Sequence, residues 1–183
     1  MNRHPLLDLD RFDLLPSPPS GWHDYDYRLL DDGRLALVRV STDLAAISPH
    51  DLARAWTKTR LRLSCFDGEA ESDVLELPPV RWPKVDRLPD GRWLVVESRC
   101  SWSARNVSIF NSDGTRAESF SVGDSVGPVL YLPDGRLWVG YMDQAIFGDD
   151  PPGHPARSDL AGLAIDDRHL LSGIVDEDLV AGG

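Results

Sequence analysis

The chain has 183 residues, of which 42% are hydrophobic and 27% charged, enough for one domain with a core of its own, and its formal net charge is −11. That acidity argues against a nucleic-acid or anionic-membrane partner, since either favours a basic face that neutralises phosphate. No apolar run approaches the roughly 18 residues of a membrane helix, and Met1 to Leu15 alternates leucine with aspartate instead of forming a signal-peptide core, so the expected compartment is the cytoplasm.

Residues 1–21 read as an N-terminal segment and linker, because Pro16-Ser17-Pro18-Pro19-Ser20-Gly21 breaks regular structure. From Trp22 the turns set a phase. LLDDGRLALV (Leu29 to Val38), RLPDGRWLVV (Arg87 to Val96) and YLPDGRLWVG (Tyr131 to Gly140) place an Asp-Gly pair between apolar runs, a strong short-range hairpin signal. Second turns follow at Asp67-Gly68, Asp113-Gly114 and, more weakly, Asp166-Asp167. Each unit therefore reads as two hairpins, or four strands. The middle repeat, Asp90 to Asp134, spans 44 residues, within the roughly 40 to 50 of a four-stranded propeller blade.

The other intervals are longer, and their excess falls between second and third strands, as insertions in Ser41 to Lys58 and Met142 to Ser158. In the first insertion, Ser48 as a cap, Pro49 at the first helical position and the Leu52–Trp56 spacing predict a short helix over Ser48 to Trp56. The second has loop composition. The continuous apolar runs Trp93 to Val96 and Leu137 to Val139 predict strands buried on both faces, with Trp93 and Trp138 as packing residues.

These features predict an all-β fold, a β-propeller of about three four-stranded blades. The blades fall near 22–78, 79–122 and 123–175, the repeat domain covers 22–168, and 169–183 is a poorly structured tail. A β-sandwich also uses closely spaced hairpins but has no reason to repeat a turn sequence at blade length. A ring needs about 4 to 8 blades, so three leave it open. The decaying repeat favours a truncated propeller; the other outcomes are a tolerated open arc and a homodimer closing a six-bladed ring.

In such a ring the Asp-Gly turns share one face and both insertions lie on the other, where function accumulates on loops. Glu97 is the foremost carboxylate for acid–base or metal chemistry there, beside the ligand-binding candidates Arg99, Trp102, Asp143 and His154. Asp149-Asp150 with His154 has the oxygen and imidazole donors for a divalent cation, although a solvated turn fits its proline-rich setting better. No HExxH, GxSxG, P-loop or EF-hand pattern occurs. Cys65, in LRLSCF, reads as a small buried hydrophobe, and Cys100 falls in a polar loop open to exposure. The partner expected is an unidentified protein or small molecule, with no assigned cofactor beyond that cation.

The repeated (L)PDGRLWVG wording resembles the blade of NHL-like and related six- or seven-bladed propellers, among them the gluconolactonase group, the streptogramin lyase group and sensor propellers of regulatory proteins. The resemblance covers about residues 22 to 168 and rests on a structural turn and strand. It implies the fold and, in lactonase and lyase relatives, a central metal held by carboxylate, Asn or His residues from several blades. Glu97 is the one position that carries over. Gly140-Tyr141 and Arg39 stand at the corresponding places, which leaves a binding or interaction scaffold as the leading expectation and a metal-dependent lyase or lactone hydrolase as the alternative.

Overall fold

The structure, a computed structural model, describes residues 15–101, 104–132 and 135–142, together with the backbone of 160–165 and 170–171. The fold is all-β, with almost no helix. It has three antiparallel sheets, each formed by consecutive strands. The first joins β1 (His23–Leu29), β2 (Leu35–Val40), β3 (Leu61–Phe66) and β4 (Glu71–Leu77). The second joins β5 (Pro83–Arg87), β6 (Trp93–Glu97), β7 (Val107–Phe110) and β8 (Arg116–Phe120). The third joins β9 (Val126–Tyr131), β10 (Arg136–Tyr141), β11 (Leu160–Ile165) and the two-residue β12 (Leu170–Leu171). β12 pairs with β11 inside the segment expected to be a tail. The chain divides into two compact units, Met1–Pro78 and Pro79–Gly183.

The Asp-Gly hairpins are built alike, with a β-turn closed by a left-handed glycine. Gly91 N–H donates to the Leu88 carbonyl and Leu88 N–H to that of Arg92, both at 2.9 Å; Gly33 and Gly135 repeat the pattern. Gly91 has φ 86°, a conformation in which a Cβ would crowd the following carbonyl. The aspartate completes the turn. Asp90 accepts from the backbone and Nε of Arg92 at 3.0 and 2.7 Å, and Arg92 Nη1 reaches Glu118 on β8 at 3.0 Å. Asp32, Arg34 and Asp73 repeat this fork in the first sheet. In the first two sheets the Asp-Gly-Arg is thus a clasp from the first hairpin to the outer strand.

A second repeated device was invisible to the turn spacing. Left-handed residues stand one to three positions before the first strand of every sheet: Gly21 (φ 80°) before β1, Trp82 (φ 47°) before β5, and both Gly123 (φ 88°) and Ser125 (φ 55°) before β9. Glycine adopts this conformation freely, whereas an L-residue gives up about 1–2 kcal/mol.

In the second unit, Leu94 and Val96 of β6 and Val107 and Ile109 of β7 pack against Val126 and Val129 of β9 and Leu137, Val139 and Tyr141 of β10. The period-two pattern of β10 sends Leu137, Val139 and Tyr141 inward. Trp138 lies on the opposite face and is only half-buried. Burial on both faces therefore holds for β6, where Trp93 to Val96 are all buried, but not for β10. The first strands of these two sheets are neighbours: buried Asp86 on β5 accepts from Tyr131 N–H on β9 at 2.6 Å and from Arg87 N–H at 2.8 Å.

In the first unit, the insertion after β2 contains a 3-10 turn (Leu44–Ala46) and α1 (Leu52–Trp56). The helix is shorter than Ser48 to Trp56. Ser48 Oγ donates to the Asp51 carboxylate at 2.9 Å instead of capping a helical amide, and the chain makes a separate turn before Leu52. His50 and Asp51 therefore sit outside the helix. Trp56 is buried, with Tyr25 edge-on at 5.2 Å between ring centroids. Burial, and then the charge of Asp26, pushes the Tyr25 phenol up to about 12.

Candidate functional site

Within each sheet the hairpin turns lie at one end and the connection between second and third strands at the other. Glu97 ends β6 at that second end. The repeat places Arg39 and Tyr141 at the corresponding position, since each follows its Asp-Gly pair by the same number of residues. These three side chains differ in chemistry, yet each is engaged by the segment that enters the first strand of its own sheet.

Arg39 is 1% exposed. Its Nη2 donates to the Pro16 carbonyl at 2.7 Å, its Nε to Asp24 at 2.8 Å, and its Nη1 to Glu71, which also accepts from Ser64 Oγ at 3.0 Å. The proline-rich segment is thereby pinned to the sheet, more than a linker. Glu97 Oε1 accepts from Arg81 Nε at 2.6 Å and lies 2.5 Å from its Nη2, so two guanidinium nitrogens converge on one carboxylate oxygen. Tyr141 Oη donates to the Val122 carbonyl at 2.5 Å, and burial raises its phenol well above the ordinary range. A Cβ on Gly140, beside it, would stand 3.0 Å from Pro128 Cγ, so Pro128 would have to give way by a few tenths of an ångström.

Around Glu97 the loops are tightly stitched. Buried Asn106 donates to the carbonyls of Glu97 and Gly123 at 3.1 and 2.8 Å and accepts from Val122 N–H at 3.1 Å. Buried Ser98 donates through Oγ to the Val126 carbonyl and accepts from Val126 N–H. No sequence motif announced Asn106 or Ser98. Their role follows from the register that brings the ends of β6, β7 and β9 together.

On the solvent side of this stitching, exposed Arg99 lays its guanidinium over the half-buried Trp82 ring, 5.6 Å from the centroid. Half-buried Cys100 donates its N–H to Asp124 at 2.7 Å. Burial, then the charges of Asp124 and Glu97, pushes its thiol up to about 11, against the smaller opposing pull of Arg81. Such a thiol stays protonated near neutrality and is a poor nucleophile. Cys100, in a loop where exposure was open, is partly covered, and Cys65 is fully buried as expected.

The structure brings Glu97 and Arg99 to one end of the second sheet and adds Arg81, Trp82, Cys100 and Asp124. Trp102, Asp143, His154 and the Asp149-Asp150 pair lie outside the described residues. Among the described residues no group of three or more His, Cys, Asp or Glu side chains is arranged to hold a metal ion, and no helix is long and apolar enough to cross a membrane.

No protein-family model and no curated protein matches the chain. Among solved structures, the chain is similar to a protein of unknown function from Bacteroides caccae, with 14% sequence identity and a TM-score of 0.42. The match covers 80% of this chain and 65% of that one, so the chain spans less than two thirds of that protein's length.

Proposed function

We propose that the chain is a propeller-like binding or interaction scaffold, its sheets serving as blades and its ligand held at the end that carries the insertions. The observation that carries this reading is the shared use of Arg39, Glu97 and Tyr141. In a metal-centred propeller this position would supply ligands from several blades. Here a cation, an anion and a phenol each fasten the strand entering their own sheet. The adjacency of β5 and β9 supports the blade arrangement, because first strands are the innermost in a propeller and meet around its axis. Left-handed residues in the approach to each first strand support a repeated unit in the same way.

The test is elemental analysis of the purified protein beside a triple variant, Glu97→Ala, Asp143→Ala and His154→Ala, with lactone hydrolysis assayed on both. The scaffold reading expects equal divalent-metal content and no hydrolysis in either. Stoichiometric metal and hydrolysis in the wild type, both lost in the variant, would replace it with the metal-dependent lyase or lactone hydrolase. Light scattering on the same samples reads the assembly, and twice the chain mass would support two copies closing a six-bladed ring.

A further inference from the structure

We propose that two copies of this chain associate head to tail, the Tyr27 and Leu29 face of the first sheet in one copy docking on the Leu130 and Trp138 face of the third sheet in the other. The inference names a partner for the scaffold reading and rests on its blade arrangement. Among the described residues four large hydrophobic side chains are exposed, and three of them are Tyr27 (55%), Leu29 (45%) and Leu130 (40%); the fourth is Val74 on β4.

What covers such faces is shown inside the second unit, where Leu94 and Val96 of the second sheet pack against Val129, Leu137 and Val139 of the third. By their distance from the Asp-Gly turns, Tyr27 and Leu29 stand where Val129 and Tyr131 do. The pairings agree, Tyr27 lying opposite Leu37 as Val129 lies opposite Val139. Val129 is buried in that interlock and Tyr131 packs against it. Tyr27 and Leu29 thus occupy the positions that receive a preceding sheet, and they are uncovered. The insertion end of their face is already closed, because Arg39 is bonded to Pro16, Asp24 and Glu71. The open part is the half nearer the turn.

The converse holds for the third sheet. Leu130 pairs with Trp138 as Asp86 pairs with Leu94 in the second. Asp86 and Leu94 are buried, whereas Leu130 is exposed and Trp138 only half-buried. Asp86 accepts from Tyr131 N–H, so the repeat sets Leu130 of one copy against Leu29 of the other. An apolar pair stands there in place of a carboxylate and an amide, and the contact buries no unpaired charge at that point.

Each open face therefore has its complement on the same chain, which selects a second copy over an unrelated protein. Two copies of three sheets make six blades, within the roughly 4 to 8 that close a ring. A third copy would overshoot that range.

The experiment uses the full chain, and sedimentation equilibrium over a dilution series should find twice the chain mass. Leu29→Lys and Leu130→Asp should each weaken dimerisation at least about a hundredfold, since each sets a charge against an apolar partner at both junctions. Mixed in equal amounts they should dimerise about as tightly as wild type, because one junction then opposes the two introduced charges and the other is unaltered. Both residues are exposed within the chain, so each variant should keep the wild-type circular dichroism spectrum. A readout that alters neither face is the indole N–H resonance of Trp138, assigned by Trp138→Phe, which should shift as the wild type is diluted. A wild-type monomer overturns the proposal, whether its faces are left open or are covered by other residues of the chain. Wild-type affinity in either variant alone, no recovery on mixing, or a mass that grows beyond two copies, the sign of a contact that fails to close, would also overturn it. The metal and hydrolysis assays keep the two readings apart. A metal-free, inactive monomer would retain the scaffold and remove the dimer, and a hydrolytic dimer that holds metal would do the reverse.

Discussion

Glu97 at the end of β6 is gripped by Arg81, two residues before β5, so the exit of one strand holds the entrance of its neighbour. The corresponding grips are Arg39 on Pro16 and Tyr141 on Val122. Their burial differs, and burial sets their worth.

Arg39→Ala should be the most damaging of the three, costing about 3 kcal/mol, because it takes from the largely buried Glu71 its close charge partner and leaves only Arg62 at 4.0 Å. Tyr141→Phe should cost about 1 kcal/mol, the worth of one buried hydrogen bond. Glu97→Ala breaks a pair whose side chains are 27% and 42% exposed, and should cost less than about 1 kcal/mol. Urea unfolding midpoints of the three variants test that order; Glu97→Ala falling first would contradict it.

Stability should decline as the solution is acidified below the ordinary aspartate value near 3.8, because three turn carboxylates are held lower in the fold. Asp67 is lowered by the N–H groups of Ala70 and Glu69, and Asp113 by the hydroxyl and N–H of Thr115. For Asp90, partial burial pulls upward and is outweighed by the bonds from Arg92. A depressed folded value means that the contribution is complete above 3.8 and lost as pH falls through the lower folded value. Thermal melts between pH 5 and pH 2 should show a shallower decline in Asp90→Asn than in wild type; parallel curves would discount the turn.

Ser125, buried, holds a left-handed backbone, and among the described residues its side chain makes no hydrogen bond that would offset the strain. Ser125→Gly should be neutral or stabilising by up to about 1 kcal/mol, as relief of the backbone outweighs the added freedom of the unfolded chain. Ser125→Val puts a β-branched residue at φ 55° and should destabilise by more than that. Differential scanning calorimetry of the pair gives opposite shifts if the backbone conformation governs, and equal losses if packing does.

Neither thiol should react readily in the native protein. Cys65 has no exposed surface, and the Cys100 thiol, raised to about 11, is almost wholly protonated at pH 8. Mass spectrometry after iodoacetamide treatment should find both unmodified in buffer and both modified in denaturant. Asp124→Asn should speed Cys100 alkylation by removing the nearer negative charge. Rapid native labelling of Cys100 in the wild type would show the loop to be more open.

Much of the architecture was legible because turns are local. An Asp-Gly pair between apolar runs needs a left-handed glycine and an acceptor for the next N–H, and both are written in adjacent residues such as Asp90 and Gly91. The repetition of that wording determined strand order, hairpin ends and the place of the insertion after β2. The face of Trp138 was not legible, since a continuous apolar run carries no alternation to reveal that Leu137 and Val139 turn inward without it.

The site was decided by tertiary structure. Glu97 reads as a candidate for acid–base or metal chemistry in sequence because Arg81 is 16 residues away, and nothing in the sequence ties Arg39 to Pro16, 23 residues away. Pairing of strands closes those distances, and burial then fixes which charges are neutralised and which, like that of Arg99, are left facing solvent on an aromatic ring. Local chemistry specifies turns; only the packed register specifies partners.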